Sequence, residues 1–342
     1  MNTRAFITGL SGLELTATER EFIRAERPWG FILFRRNVET PEQVIRLLRD
    51  LRETLGEPDA PVLIDQEGGQ VQRLRPPHWP LYPAGAVFGE LYDLDPALGL
   101  LAARLSARLI AADLMDLGVT VDCLPLADVP VPGADAVIGD RAYGAEPGKV
   151  AAIARAVTDG LELGGVLPVL KHIPGHGRAT ADSHLRLPTV DTPRKVLERT
   201  DFAAFQPLAD LPMAMTAHVV FSALDPAHPA TTSATIIEQV IRGVIGFQGL
   251  LMSDDVSMNA LAGSIAERTR AIIGAGCDMV LHCNGKLDEM REVARETPEL
   301  SGKALARAQA ALASRKTPQA FDRMAARAEL DALIKRAGTA GA

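Results

Sequence analysis

Leu250-Leu251-Met252-Ser253-Asp254, then Ser264-Ile265-Ala266-Glu267, then Asp278-Met279-Val280-Leu281-His282 is the stretch on which the fold reading turns. The first and last pieces are short apolar runs that end in a polar group. Between them, Ser264 and Glu267 have the spacing of a capping box, in which each side chain satisfies a backbone N–H that the first helical turn leaves unpaired. The stretch therefore reads strand, helix, strand. A strand that is apolar without alternation is covered on both faces, as in a parallel sheet flanked by helices.

The same unit recurs outward along the chain. Candidate strands lie at residues 5–8, 31–34, 62–65, 119–124, 166–171, 213–218, 250–254 and 278–282. Helix starts follow them: Thr16-x-x-Glu19 and Thr40-Pro41-x-Gln43 as capping boxes, the second with proline at the first helical position, and Thr192-Pro193. Residues 96–117 read as a long amphipathic helix. Eight units close naturally into a barrel, whereas an open doubly wound sheet, the alternative, typically uses fewer. The expectation is one catalytic (β/α)₈ TIM-type barrel over residues 1–342, with C-terminal helices at about 301–342 packed on it. No linker, low-complexity segment or repeat beyond the βα period divides it.

Composition agrees and excludes other classes. With 47% hydrophobic and 23% charged residues, the chain can bury a substantial core. A net charge of −7 argues against nucleic acid or an anionic membrane as partner. No apolar stretch is long enough to span a bilayer, and the N-terminus lacks a signal-peptide core. Cys123, Cys277 and Cys283, an odd number with two in apolar runs, read as reduced thiols. The expected location is the cytoplasm.

In such a barrel, catalytic groups gather at the C-terminal strand ends and the loops beyond them. Strand three ends in Asp65, strand five in Lys171-His172, strand six in His218 and strand seven in Asp254-Asp255, while the loop after strand four carries Asp128 and Arg141. Five of the seven histidines, His172, His176, His184, His218 and His282, fall at a strand end or in the loop after strand five. Three connections are long, at about 66–95, 125–145 and 173–191, and long loops tend to be functional. The third contains Asp182-Ser183-His184. In an extended stretch, alternate residues face one way, so Asp182 can hold the His184 imidazole in one tautomer.

A carboxylate rigidly held at a strand end suits the nucleophile of a retaining glycosidase, which also needs a proton donor across the sugar. Asp254 fits the first role and His184, with a side chain that titrates near neutrality, fits the second. Plainer readings exist for each group. Asp254 or Asp255 could cap the following helix, His184 could be a solvated loop residue, Asp65 and Arg73 could be a structural ion pair, and Lys171-His172 could merely end a strand. Such independent causes would not gather these groups on one rim.

The stretch Ile64-Asp65-Gln66-Glu67-Gly68-Gly69-Gln70-Val71-Gln72-Arg73-Leu74 resembles the signature after strand three of family 3 glycoside hydrolases. Lys171-His172-Ile173-Pro174-Gly175-His176-Gly177 with Asp182-Ser183-His184 resembles the loop of that family's bacterial β-N-acetylglucosaminidase branch. Residues 138–144 and 247–258 match as well. The resemblance implies Asp254 as nucleophile, His184 oriented by Asp182 as acid/base, and Asp65, Arg73, Arg141, Lys171 and His172 as sugar-gripping residues. Many relatives carry a second α/β sandwich domain that supplies a glutamate donor; this chain is expected to end before one, leaving the barrel's own loop to supply the proton.

The implied activity is a retaining exo-β-N-acetylglucosaminidase (β-N-acetylhexosaminidase) of peptidoglycan recycling. It would release terminal N-acetylglucosamine from anhydro-muropeptides through a glycosyl-aspartate intermediate. Aromatics are only 4% of residues, too few for a long stacking groove, which suits a small pocket and exo action. The expected partner is a small sugar, with no cofactor and no metal, and a monomer suffices. The rivals are a β-glucosidase or broad-specificity member of the same family, a metal-dependent hydrolase using His172, His176 and His218, and an inactive sugar-binding relative. The metal reading is weakened because strand one ends Thr8-Gly9 without a His-x-His pair, and His172 and His176 straddle Pro174-Gly175 instead of a helix face.

Overall fold

Each of the eight apolar runs forms a parallel strand: β1 Arg4–Thr8, β2 Pro28–Leu33, β3 Val62–Ile64, β4 Val121–Asp122, β5 in two pieces Leu167–Pro168 and Leu170–Ile173, β6 Met213–Thr216, β7 Leu250–Asp255 and β8 Met279–His282. The computed structural model describes residues 3–183 and 186–340. Hydrogen-bonded pairing runs from the first piece of β5 through β4, β3, β2, β1, β8, β7 and β6 to its second piece. Because both ends of that order belong to one strand, the sheet closes into a barrel. Pro168 brings no N–H to the ladder. The Val169 N–H spans the interruption, bonded to the Asp122 and Leu124 carbonyls at 3.1 and 2.8 Å.

Side chains alternate across the closed sheet, as a strand period of two requires. Ala5, Ile7, Leu63, Val121, Met215, Met252 and Leu281 share the inner cluster. Phe6, Phe31, Leu33, Ile64 and Val280 join the larger cluster between strands and helices. Each fully buried Phe, Leu or Ile contributes roughly 1.5–3 kcal/mol of transfer free energy.

The helix signals are obeyed with two corrections. Thr16 and Ser264 complete capping boxes with Glu19 and Glu267. The Thr40 hydroxyl accepts from the Gln43 N–H, but the Gln43 side-chain Oε1 accepts from the N–H of Glu39, so only half a box forms. The helix Pro96–Leu117 has the expected bounds yet is not amphipathic throughout: Ser106, Ala107, Arg108, Leu109, Ile110, Ala111 and Ala112, nearly two full turns, are all buried. Helices Gly85–Leu94, Pro147–Leu163 and Arg323–Ala340 pack around it, which leaves no broad solvent face. The contact with Pro147–Leu163 is close enough that a Cβ on Gly160 would stand 2.4 Å from the Arg104 carbonyl oxygen.

The connection at 66–95 is also not structureless. It folds as a hairpin, Gln66–Gly68 with Val71–Gln72, and then the helix Gly85–Leu94. Gly68 and Gly69 turn it at φ +100 and +55, a conformation open to glycine.

Helix Gly302–Ala313 closes the end of the barrel remote from the strand C-termini. Ala308 and Ala311 enter the inner cluster with Leu300. Asp278, just before β8, ties this helix down: it accepts from Arg307 at 2.9 Å, from Arg242 at 2.8 Å and from the Leu251 N–H at 3.0 Å. Replacing Asp278 by alanine strands two arginines and one backbone donor, and should lower unfolding free energy by about 3 kcal/mol. Urea denaturation of the variant checks this; an unchanged midpoint would show that the carboxylate does not hold the helix.

Candidate active site

At the C-terminal mouth, a cavity of about 470 Å³ is lined by Asp65, Arg73, Arg141, Lys171, His172 and Asp254, all picked out from the sequence. Glu67, His176, Ser183, Arg36, Phe34, Val137 and Cys283 line it too. Asp182 is not among the lining residues, and His184 lies outside the described residues.

One wall is an ion-pair cluster. Lys171 projects from β5 and is buried; its Nζ stands 3.0 Å from Asp65 and 2.6 Å from Glu67. Arg73 donates to the other Asp65 oxygen at 2.8 Å. Arg141 clamps Glu67 with Nε and Nη2, both at 2.9 Å, and gives Nη1 to the Val137 carbonyl at 3.1 Å. Most of its donors are thus spent within the protein, which sequence reasoning had directed at substrate.

Charge neighbours set the titration of this wall. Burial would raise the Asp65 carboxyl, but Lys171 and then Arg73 hold it far below the usual carboxylate range. Burial opposes ionisation of Glu67 as well, and Lys171 and Arg141 prevail. Lys171 is pushed above its ordinary value because Asp65 and Glu67 outweigh its desolvation. Two carboxylates therefore face three cations, a surplus of positive charge beside Asp254. Asp122, which accepts from the Gln66 N–H at 3.0 Å, has its carboxyl pushed well up by burial.

Asp254 and Asp255 end β7 and do different things. Asp254 lines the cavity and accepts from the Asp255 N–H at 2.7 Å. Asp255 accepts from the Ser257 N–H and the Cys283 N–H, both at 3.0 Å, and from the Ser257 hydroxyl at 2.6 Å. It caps the turn after β7 and ties the end of β7 to that of β8, while the next helix takes its cap from Ser264.

The histidines divide by their partners. His172 Nδ1 meets Asp128 at 2.7 Å, and His176 Nε2 meets the Ser183 hydroxyl at 3.0 Å. His218 uses both nitrogens, with Thr231 at 2.7 Å and the Asp255 carbonyl at 3.0 Å, so it is spent on structure. Glu67 was quoted in a motif and Asp128 was placed on the rim, but neither was given a role. A buried acid that serves other side chains has no spacing of its own to betray it.

His176 is pushed down to about 4, first by burial and then by His172, with Asp128 and Asp254 opposing. A folded value below the unfolded one of about 6.5 means that the unfolded chain takes the proton first as pH falls. Stability is then lost on acidification from about pH 6.5 to about 4, reaching about 3 kcal/mol from this residue. His176→Gln should flatten the fall in that window, read by urea midpoints at successive pH values; equal slopes in both proteins would contradict it.

The sequence profile described as the glycosyl hydrolase family 3 N terminal domain matches residues 7–314. A β-hexosaminidase of Alkalilimnicola ehrlichii is 42% identical over 280 residues, covering 81% of this chain and 79% of its own. NagZ from Neisseria gonorrhoeae, crystallised in complex with N-trifluoroacetyl-D-glucosamine, superposes with a TM-score of 0.83 at 30% identity over 98% of each chain. A family 3 β-N-acetylglucosaminidase from a Paenibacillus species gives 0.84 at 29% identity, over 97% of this chain and 66% of its own. Matched through most of its length by profile, by sequence and by structure, the chain belongs to glycosyl hydrolase family 3.

Proposed function

We propose that the chain is a retaining, exo-acting β-N-acetylglucosaminidase that releases terminal β-linked N-acetylglucosamine from peptidoglycan fragments containing 1,6-anhydro-N-acetylmuramic acid. The observation that carries this reading is that Asp254 lines one small cavity together with the Asp65–Lys171–Glu67 cluster, Arg73, Arg141 and His172. At about 470 Å³ the cavity is near the low end for ligand sites, which favours one sugar ring over a long chain. The amino-sugar selectivity is supported by the relatives named β-hexosaminidase and by the glucosamine derivative bound to NagZ.

In the proposed cycle, the wall holds the sugar hydroxyls with charge-assisted hydrogen bonds. The Asp254 carboxylate attacks C1, and a covalent glycosyl-aspartate forms as the glycosidic C1–O bond breaks. Protonated His184, held by Asp182, gives its proton to the departing oxygen. The neutral imidazole then takes a proton from water, whose oxygen attacks C1 and frees Asp254.

We further read residues 1–342 as one catalytic unit, with the helices after residue 300 belonging to the barrel. A cytoplasmic setting is supported by Cys123, Cys277 and Cys283 being free thiols. No helix among the described residues is long and apolar enough to cross a membrane.

Hydrolysis of aryl β-N-acetylglucosaminide against aryl β-glucoside, with chelator present, tests the reading. Preference for the acetamido sugar, with Asp254→Ala losing roughly a thousandfold or more in rate, is expected. Preference for the glucoside would overturn the specificity, and an active Asp254→Ala would overturn the nucleophile. For His184→Ala, the loss should reach roughly 10²–10⁴-fold on substrates with basic leaving groups and be much smaller on activated aryl glycosides. Equal losses on both would remove His184 from the acid role.

A further inference from the structure

Asp128 is fully buried on the loop after β4 and is not part of the cavity wall. Its side-chain hydrogen bonds are with the segment that carries His172 and His176. Oδ2 meets His172 Nδ1 at 2.7 Å, while Oδ1 accepts from the His176 N–H at 2.6 Å and from the His172 N–H at 3.4 Å. Burial would raise its pKa, but His172, His176 and these hydrogen bonds hold the carboxyl below its ordinary value. An ionised carboxylate has no hydrogen to give, so the hydrogen in the ring contact belongs to Nδ1. That leaves Nε2 as the remaining polar atom of a side chain that lines the cavity.

We propose that Asp128 is a positioning residue for His172: its buried carboxylate fixes the imidazole as the Nδ1–H tautomer and so presents Nε2 to the cavity as an acceptor for a sugar hydroxyl. The inference rests on the reading that His172 touches the sugar. It accounts for a full charge at a place substrate cannot reach. It also accounts for the split between oxygens, one holding the backbone and the other holding the ring.

The split makes Asp128→Asn a directed perturbation. A carboxamide has one acceptor oxygen where the carboxylate has two. The His176 backbone N–H cannot change its character, so it keeps Oδ1, and the new NH₂ faces His172 Nδ1. The imidazole is the one partner able to yield, by moving its hydrogen to Nε2. At the cavity an acceptor becomes a donor, while the fold keeps its backbone bond. Alanine would instead leave a buried backbone N–H without an acceptor and confuse stability with function.

The experiment is ¹⁵N NMR of the histidine rings at alkaline pH, with the His172 signals identified by their loss in His172→Gln. Wild type should show Nδ1–H and Asp128→Asn should show Nε2–H. On an aryl β-N-acetylglucosaminide, Asp128→Asn should raise KM roughly ten- to hundredfold with a smaller change in kcat, the scale of one hydrogen bond turned against its partner. On a His172→Ala background the same substitution should change KM less than about twofold, because residues acting as a unit are not additive. An Nε2–H tautomer in wild type would overturn the proposal. So would an unchanged KM in a variant whose ring has flipped, or a full further loss on the His172→Ala background. If Asp128→Asn does not fold, the wild-type spectrum still decides. The spectrum is also independent of turnover, so failure to hydrolyse the amino sugar would count against the proposed function and leave the tautomer result standing.

Discussion

Lys171 is an ammonium group with almost no access to water, and the candidate site is arranged around that fact. Burying such a cation costs several kcal/mol unless charge and hydrogen bonds offset the lost hydration. Here Asp65 and Glu67 stand at 3.0 and 2.6 Å, and each is itself engaged by an arginine. Removing Asp65 or Glu67 would leave Arg73 or Arg141 without its carboxylate, and removing Lys171 would part the two halves of the cluster. Its members come from the ends of β3 and β5 and from the loops after β3 and β4, so the cluster also pins those elements to one another. A wall built this way is rigid before any sugar arrives, which is the condition for electrostatic groups to act without reorganising.

The barrel supplies the positions that such a cluster needs. Parallel strands all deliver their C-terminal ends to the same rim, and closure through the two pieces of β5 sets β3 and β5 two neighbours apart, on either side of β4. That is close enough for a lysine stem to span. At the opposite rim, helix Gly302–Ala313 is held by Asp278 between two arginines, so one end of the molecule uses buried ion pairs for packing and the other for a site. The loops after β4 and β5 are also fitted closely to each other. A Cβ on Gly177 would stand 2.2 Å from the Val129 backbone, so glycine is needed there for a reason of space rather than of φ.

Much of this was legible in the chain, for identifiable reasons. Strand number and order could be read because the strands are apolar on both faces and several end in a conspicuous polar residue, such as Asp65, Lys171 or Asp254. Capping boxes placed helix starts because they are local chemistry, complete within four residues. What local chemistry does not encode was misread. Whether the helix Pro96–Leu117 has a wet face depends on three other helices packing on it, and the hairpin after β3 depends on glycines whose role appears only when Pro83 closes over them. In the site, Asp65, Lys171, His172 and Asp254 stood out by position at strand ends. Glu67, though it lines the cavity, and Asp128 were given no role, since their work is directed at Arg141, Lys171, His172 and His176, partners remote in sequence.

The distinction between residues that face the cavity and residues that face those residues bears on how the charges are shared. The mouth already holds Asp65, Glu67, Asp254 and Asp255, with Asp128 close behind His172. On the proposed mechanism, a carboxylic acid as proton donor would add another group that is negative for half the cycle, beside a nucleophile that must also be negative. A histidine in that role alternates between positive and neutral and so never repels Asp254. The same economy appears where burial works against charge: it pushes His176, near the nucleophile, down to about 4 and raises the Asp122 carboxyl. The site thus separates groups held ionised by charged neighbours from groups whose ionisation burial opposes, and in the proposed reaction it is the first kind that holds the sugar.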